Sequence, residues 1–199
     1  MDRQTIISDI SKIYMSYGIK SITMDDIAKS LKISKRTLYE LFETKNNLVK
    51  IIVEKKIEDE KIIIQKFINE SENAIEVMVN ISRTMIQMYK DSHNSVLQDL
   101  KKYHAEAWKK IDDFHNNYIS FVVKQNLDRG IEEGFYRKEI NPKILSAFYI
   151  IQLQLFSNLS NFKLKKEKHE ELIKQFFDYH IFGILSIEGI KYYLNLNKK

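Results

Sequence analysis

The chain has 199 residues, 44% of them hydrophobic and 30% charged, with five glycines, one proline and no cysteine. That length supports one or two packed domains with a real core. The missing cysteines exclude a disulfide framework, a thiolate zinc site and a cysteine nucleophile, and suit the cytosol.

So few turn residues argue against a β-sandwich or barrel and for an all-α chain. No apolar run approaches the roughly 18 residues of a membrane helix, because Gln152 and Gln154 interrupt the most apolar stretch. The opening Met-Asp-Arg-Gln holds no apolar signal core, so no export is expected. The net charge of +5 is unevenly placed, with six Lys or Arg against two Asp or Glu over residues 29–50. A basic end on an otherwise balanced chain suits a polyanion. Charge alone equally allows a solvated lysine-rich face.

In chain order, the first helix is expected over about Arg3–Tyr17, where Ile6, Ile10, Ile13, Tyr14 and Tyr17 recur at helical spacing. Asp2 is its cap and Gly18 its stop. Thr23-Met-Asp-Asp26 reads as a capping box opening a short helix that carries Ile27, Ala28 and Leu31. Lys32-Ile33 makes a tight turn, Ser34 caps a third helix through Phe42, and Thr44 caps a long fourth from Lys45 to about Phe67. Asn73 starts a helix with Ile75, Val79, Ser82, Ile86 and Tyr89 on one face, followed by a loop over 91–95 and a short helix over Val96–Tyr103. One long helix is expected over Glu106–Arg129. Asn141-Pro142 then opens a helix to about Leu159. A polar linker, Ser160–His169, leads to a last helix over about Glu170–Leu194.

Residues 23–42 therefore read as two short helices joined by a tight turn, a helix-turn-helix. Small Ala28 allows a close crossing, and Ile27, Leu31, Ile33, Leu38 and Phe42 form the inner face. Lys35, Arg36, Thr37, Tyr39 and Glu40 are left to face a major groove. The helix N-terminus adds partial positive charge near phosphates.

The segment closely resembles the tetracycline-repressor (TetR) family of bacterial transcription regulators. The resemblance lies in Ile7, Ser11, Tyr14 and Gly18, in Ile22-Thr-Met-Asp-Asp-Ile-Ala28, in Ile33-Ser-Lys35, Thr37-Leu-Tyr39 and Phe42, and in Lys45 followed by Leu48. It covers about the first quarter of the chain. Three positions depart from the family pattern: Lys32 for a glycine, Arg36 for a small residue, and Leu41 for a polar or aromatic one. A left-handed Lys32 would carry about 1 kcal/mol of strain.

The resemblance implies a DNA-binding domain over 1–48, a linking helix over 45–67, and a helical effector-binding and dimerisation domain over 68–199. Its DNA-facing set is Thr23, Ser34, Lys35, Arg36, Thr37, Tyr39, Glu40, Thr44 and Lys45. Arg36, one of five arginines beside 27 lysines, is the candidate for reading guanine; a phosphate contact is the alternative. Thr37 suits a thymine methyl, or simply fills the first turn. Tyr39 and Lys45 resemble the family's phosphate contacts, and Thr23 and Thr44 are caps first. For Tyr39 a half-buried core position stays open.

Such modules bind as dimers on inverted repeats. The last two helices are apolar on more than one side, which suits a core and a second copy. Phe148, Ile151, Leu155, Phe177, Ile181 and Ile184 are the expected dimer residues. The resemblance also implies a small-molecule cavity, for which Met85, Met88, Tyr89, Tyr103, Trp108, Phe114, Tyr118, Phe121 and Tyr149 are candidates. For each alone, ordinary core packing is the better reading.

A carboxylate-bridged metal enzyme would need Glu-x-x-His pairs, and the nearest match is Asp112-x-x-His115. No phosphate loop, Gly-x-Ser-x-Gly or zinc motif occurs. The expectation is an all-α DNA-binding regulator, a repressor because repression is the family's usual mode. It would be a homodimer on a duplex operator, released by a small-molecule effector, with no enzyme activity, metal, cofactor or membrane partner. A helical DNA-binding or adaptor protein without an effector is the alternative.

Overall fold

A computed structural model describes the backbone of residues 2–90, 93, 95–156 and 167–196, with side chains except at 89, 90, 155, 156 and 167–170. The side chains of Tyr89 and Leu155, and the expected linker up to residue 166, lie outside the described residues. Among those described, the elements are helices and no strand forms. The helices are α1 (Arg3–Tyr17), α2 (Met24–Leu31), α3 (Lys35–Phe42), α4 (Lys45–Glu70), α5 (Ala74–Lys90) and α6 (Val96–Tyr103). They continue with α7 (Ala105–Asp113), a π-helical segment (Phe114–Ile119), α8 (Ser120–Glu132), α9 (Pro142–Phe156), α10 (Glu167–Ile184) and α11 (Ile187–Leu196).

The chain divides into two compact units. The N-terminal unit takes Met1–Lys61 and also Asp91–Phe114, reaching past the linking helix into sequence expected in the second domain. Its core joins Ile6, Ile7, Ile10 and Tyr14 of α1 to Ile27, Ala28, Leu38, Phe42, Leu48 and Val49. Val96, Leu100 and Ala107 of α6 and α7 belong to the same core. The C-terminal unit, Ile62–Lys90 and His115–Lys199, packs α5, α8, α9, α10 and α11 around Ile75, Met78, Leu127, Tyr136, Leu153 and Ile181.

The helix ends obey local chemistry in the first unit. Asp2 Oδ1 accepts from Gln4 N at 2.9 Å and Thr5 N at 3.0 Å. Gly18 stops α1 at φ 81, where a side chain is strained, and a Cβ there would lie 2.4 Å from Ser95 Oγ. In the C-terminal unit local caps at Asn73 and Asn141 are joined by long-range ties. Glu133 Oε2 accepts from Ala74 N at 2.8 Å at the start of α5. The Tyr136 hydroxyl donates to Asn126 Oδ1 at 3.0 Å beneath it.

Two expected helices are divided. The one expected over Glu106–Arg129 is broken by the π turn at Phe114–Ile119. A π turn takes an extra residue and rotates the apolar stripe, which periodicity alone does not register. The last helix splits at Leu185–Ser186. Ser186 Oγ accepts from Gly189 N at 3.0 Å, capping α11, and donates to Gly134 O at 2.7 Å. Ser186 N donates to Phe135 O at 2.9 Å. The loop after α8 thus holds the chain out of helical geometry between α10 and α11.

Candidate nucleic-acid interface

The helix-turn-helix is assembled by its own short-range polar groups. The Thr23 side chain accepts from Asp26 N at 3.2 Å, and Asp26 Oδ2 accepts from Thr23 N at 2.9 Å, a complete capping box. The Thr23 hydrogen bonds hold the Asp26 carboxyl below the usual carboxylate range. After α2 the chain turns through Lys32 at φ 55, ψ 36, in the left-handed region. Ile33 N closes that turn on Ala28 O at 3.0 Å. Ser34 Oγ accepts from Thr37 N at 2.9 Å and caps α3.

The faces of α3 then separate. Leu38 and Phe42 are 0% exposed, and Ile33 and Leu41 pack partly against the same core. Thr37 and Lys35, Arg36, Tyr39 and Glu40 are exposed, and Ser34 and Thr23 stand exposed beside them. Tyr39 is not a core residue. Lys35 Nζ lies 2.8 Å from Asp25 Oδ1 and sits 5.9 Å above the Tyr39 ring. The Asp25 hydrogen bond raises the Lys35 pKa, so its charge is secure. Arg36 Nε pairs with Glu40 Oε1 at 2.8 Å, with the arginine side chain 88% exposed. An exposed pair of this kind contributes little and opens readily.

The next turn is equally local. Glu43 adopts φ 58, and Thr44 Oγ1 accepts from Asn47 N at 3.1 Å to open α4. Thr44 is exposed; Lys45 is not free in the same way. Its Nζ donates to Ile19 O at 2.6 Å and Ile22 O at 2.5 Å and is half-buried. Burial lowers its pKa. Lys45 therefore ties the α1–α2 connection to α4, and its ammonium is engaged by backbone. Eight of the nine expected DNA-facing residues lie on the exposed surface of this module, and Lys45 is turned into it.

Sequence reasoning missed the residues that brace the module from behind. Asp99 is buried and accepts from Ile19 N at 3.0 Å, Lys20 N at 2.9 Å and Ser95 Oγ at 3.1 Å. His104 Nδ1 meets Asn46 Oδ1 at 2.8 Å, and burial pushes the His104 pKa down. These partners are about 80 and 58 residues apart, and no local signal announces them.

The other expected sets divide. Tyr103, Trp108 and Phe114 belong to the N-terminal unit, whereas Met85, Met88, Tyr118, Phe121 and Tyr149 belong to the C-terminal one. Trp108 packs partly against the N-terminal core, and Tyr103 lies exposed between Lys20 and Lys102. Within the C-terminal unit Tyr149 is buried and Met85 packs on the core, while Phe121 is 57% exposed. A single lining built from all of them is not formed within either unit. Of the dimer set, Phe148 and Ile151 are exposed on α9, and Phe177 packs partly inward. Ile181 and Ile184 are sealed in their own unit's core and present no surface. Ile144 on α9 and Tyr179 and Phe182 on α10 are exposed apolar groups that the pattern did not single out.

Among the described residues no helix is long and apolar enough to cross a membrane, and no group of His, Asp and Glu is placed to hold a metal ion.

Residues 6–52 match the family model of bacterial regulatory proteins, tetR family. No curated protein sequence matches the chain. Among solved structures, a transcriptional regulator from Cytophaga hutchinsonii is 17% identical, with a TM-score of 0.73 over 92% of this chain and 98% of that one. A TetR-family regulator from Agrobacterium tumefaciens is 14% identical, with a TM-score of 0.73 over 92% and 97%. The reduced form of Escherichia coli NemR is 11% identical, with a TM-score of 0.72 over 92% and 97%. At such identities the likeness is one of fold.

Proposed function

From a chain that is a TetR-family transcriptional regulator, with residues 6–52 in that family's DNA-binding domain, we propose a cytoplasmic repressor that binds an inverted-repeat operator as a homodimer. A small molecule bound in the C-terminal unit releases it.

One observation carries the reading. α3 buries Leu38 and Phe42 completely while presenting Lys35, Arg36, Thr37, Tyr39 and Glu40 to solvent. A short helix that is rigidly seated, capped at its N-terminus and polar on its outer face is the shape a major groove accepts. Lys35 and the α3 N-terminus supply positive potential for phosphates. Arg36 supplies the bidentate donor fork for guanine, once it exchanges Glu40 for a base. Lys45 supports binding indirectly, by fixing the α1–α2 connection against α4.

Pairing is supported by Ile144, Phe148 and Ile151 on α9, three exposed apolar side chains within two helical turns. A homodimer reads an inverted repeat when its two recognition helices lie about 34–36 Å apart, one turn of duplex. Release through α4 is supported by its membership of both units, Lys45–Lys61 in one and Ile62–Glu70 in the other.

The test is titration of a duplex selected from a random library, across a range of salt, with the mass of the complex measured in parallel. The expected result is two chains on a palindromic site and a log–log salt slope of several units. One chain per duplex, or binding indifferent to salt, would refute the proposal.

A further inference from the structure

The core cluster of the C-terminal unit draws Met78 and Val79 from α5, Tyr149, Ile150 and Leu153 from α9, and Ile181, Ile184 and Leu185 from α10 and its end. Among the described residues, the buried polar side chains of this unit are Asn73, Ser82, Asn126, Ser146 and His180. None of them is a carboxylate, an ammonium or a guanidinium. Three are matched to backbone. Asn73 Oδ1 accepts from Glu76 N at 3.1 Å, Asn126 Nδ2 donates to Ala74 O at 2.9 Å, and Ser146 Oγ donates to Lys143 O at 3.1 Å.

Ser82 Oγ and His180 Nε2 are different: buried, and without a hydrogen-bond partner among the described residues. The Tyr14 hydroxyl, in the N-terminal unit, shares that condition but stands alone there. Ser82 and His180 come from two helices that pack on one another, α5 and α10. Ser82 follows Met78 and Val79 by one turn on the α5 stripe that enters the core. His180 precedes Ile181, and its ring meets Tyr149 edge-on with 5.3 Å between centroids. Buried polar atoms are almost always paired, and leaving one unpaired costs stability.

We propose that Ser82 and His180 form the polar end of a site for an uncharged, largely apolar small molecule bearing one hydroxyl or carbonyl group. This rests on the effector reading above and names the chemistry of its ligand. A ligand hydroxyl donates to His180 Nε2 and accepts from Ser82; a ligand carbonyl accepts from Ser82. Burial keeps the imidazole neutral at pH 7. An anionic head would be buried with no cation beside it among the described core residues, and a cationic head with no carboxylate. Either arrangement is costly. The surrounding Met, Leu, Ile and Tyr side chains take the apolar body.

The experiment is thermal melting of the full chain with four probes of one body and different heads: 1-decanol, 2-decanone, decanoate and decylammonium. The neutral probes should raise Tm and the charged ones should not. Ser82→Ala and His180→Phe should each raise the ligand-free Tm by about 2–4 °C; Ser82→Ala should weaken both neutral probes about tenfold, and His180→Phe should weaken 1-decanol about tenfold. If His180→Phe does not fold, Ser82→Ala, the smaller change, decides the matter alone. Charged probes binding as well as neutral ones, no probe binding, or parental affinity in the variants would overturn the proposal. Duplex binding measured with the same probes separates the two readings. Neutral probes that bind and leave DNA affinity unchanged uphold the site and defeat the effector reading. A charged probe that releases DNA does the reverse.

Discussion

The two units of this chain hold their helix ends in different ways. In α2 and α3 the caps come from within three residues: Thr23 with Asp26, and Ser34 with Thr37. In the C-terminal unit local caps, Asn73 with Glu76 and Asn141 with Ile144, are joined by ties from afar. Glu133 caps α5 across 59 residues, and the Ser186 that caps α11 is held by Gly134 across 52. The caps of α2 and α3 are therefore written in their own sequence, whereas α5 and α11 are held in addition by packing against the loop after α8. A module that must present fixed side chains to a groove gains from local rigidity.

The largest test of this contrast lies beneath the recognition helix. Leu38 is 0% exposed, so Leu38→Ala should cost about 2–5 kcal/mol in urea unfolding. Duplex binding should fall with it, because the outer face of α3 is seated by that side chain. Full stability after the substitution would mean that α3 is held by something other than its core face.

The second test concerns the C-terminal interior. Burial pushes His180 down to about 4. The unfolded chain takes up that proton near pH 6.5, so between pH 6.5 and 4 the unfolded state binds more protons than the folded one. The stability held by neutral His180 is complete above pH 6.5 and is lost as pH falls through that window. From pH 7 to pH 5 the loss should be about 2 kcal/mol. His180→Phe should flatten that part of the profile. An unchanged slope in the variant would mean that the imidazole titrates normally.

The smallest of the three is at the turn. Lys32 holds a left-handed conformation at φ 55, and Lys32→Gly should stabilise the chain by about 1 kcal/mol. A loss of stability would show that the lysine side chain contributes something the backbone strain does not reveal.

The same contrast explains what the sequence disclosed. Asp2, Thr23, Ser34 and Thr44 cap the helices they were expected to cap, because a cap is written within three or four residues of its target. The exposed row on α3 followed from helical period alone. Lys45 did not: its position resembles a phosphate contact, yet its amine donates to two backbone carbonyls. Asp99 and His104, which brace the module, are invisible locally. In the C-terminal unit the apolar pattern marked Ile181 and Ile184 as interface candidates, but a helix apolar on two sides does not say which side meets its own core. The π turn at Phe114–Ile119 leaves no mark in helical periodicity, and the break at Ser186 is held by Gly134, 52 residues away.

α3 is the element proposed to read duplex DNA. The most direct measurement is the base preference of the parent and of Arg36→Ala on library-selected duplexes, each followed across salt. Arg36→Ala should lose at least about tenfold in discrimination at one base pair per half-site, while binding to unrelated duplex and the salt slope stay near the parental values. If Arg36→Ala selects the same sequence as tightly as the parent, α3 does not read the groove through its outer face.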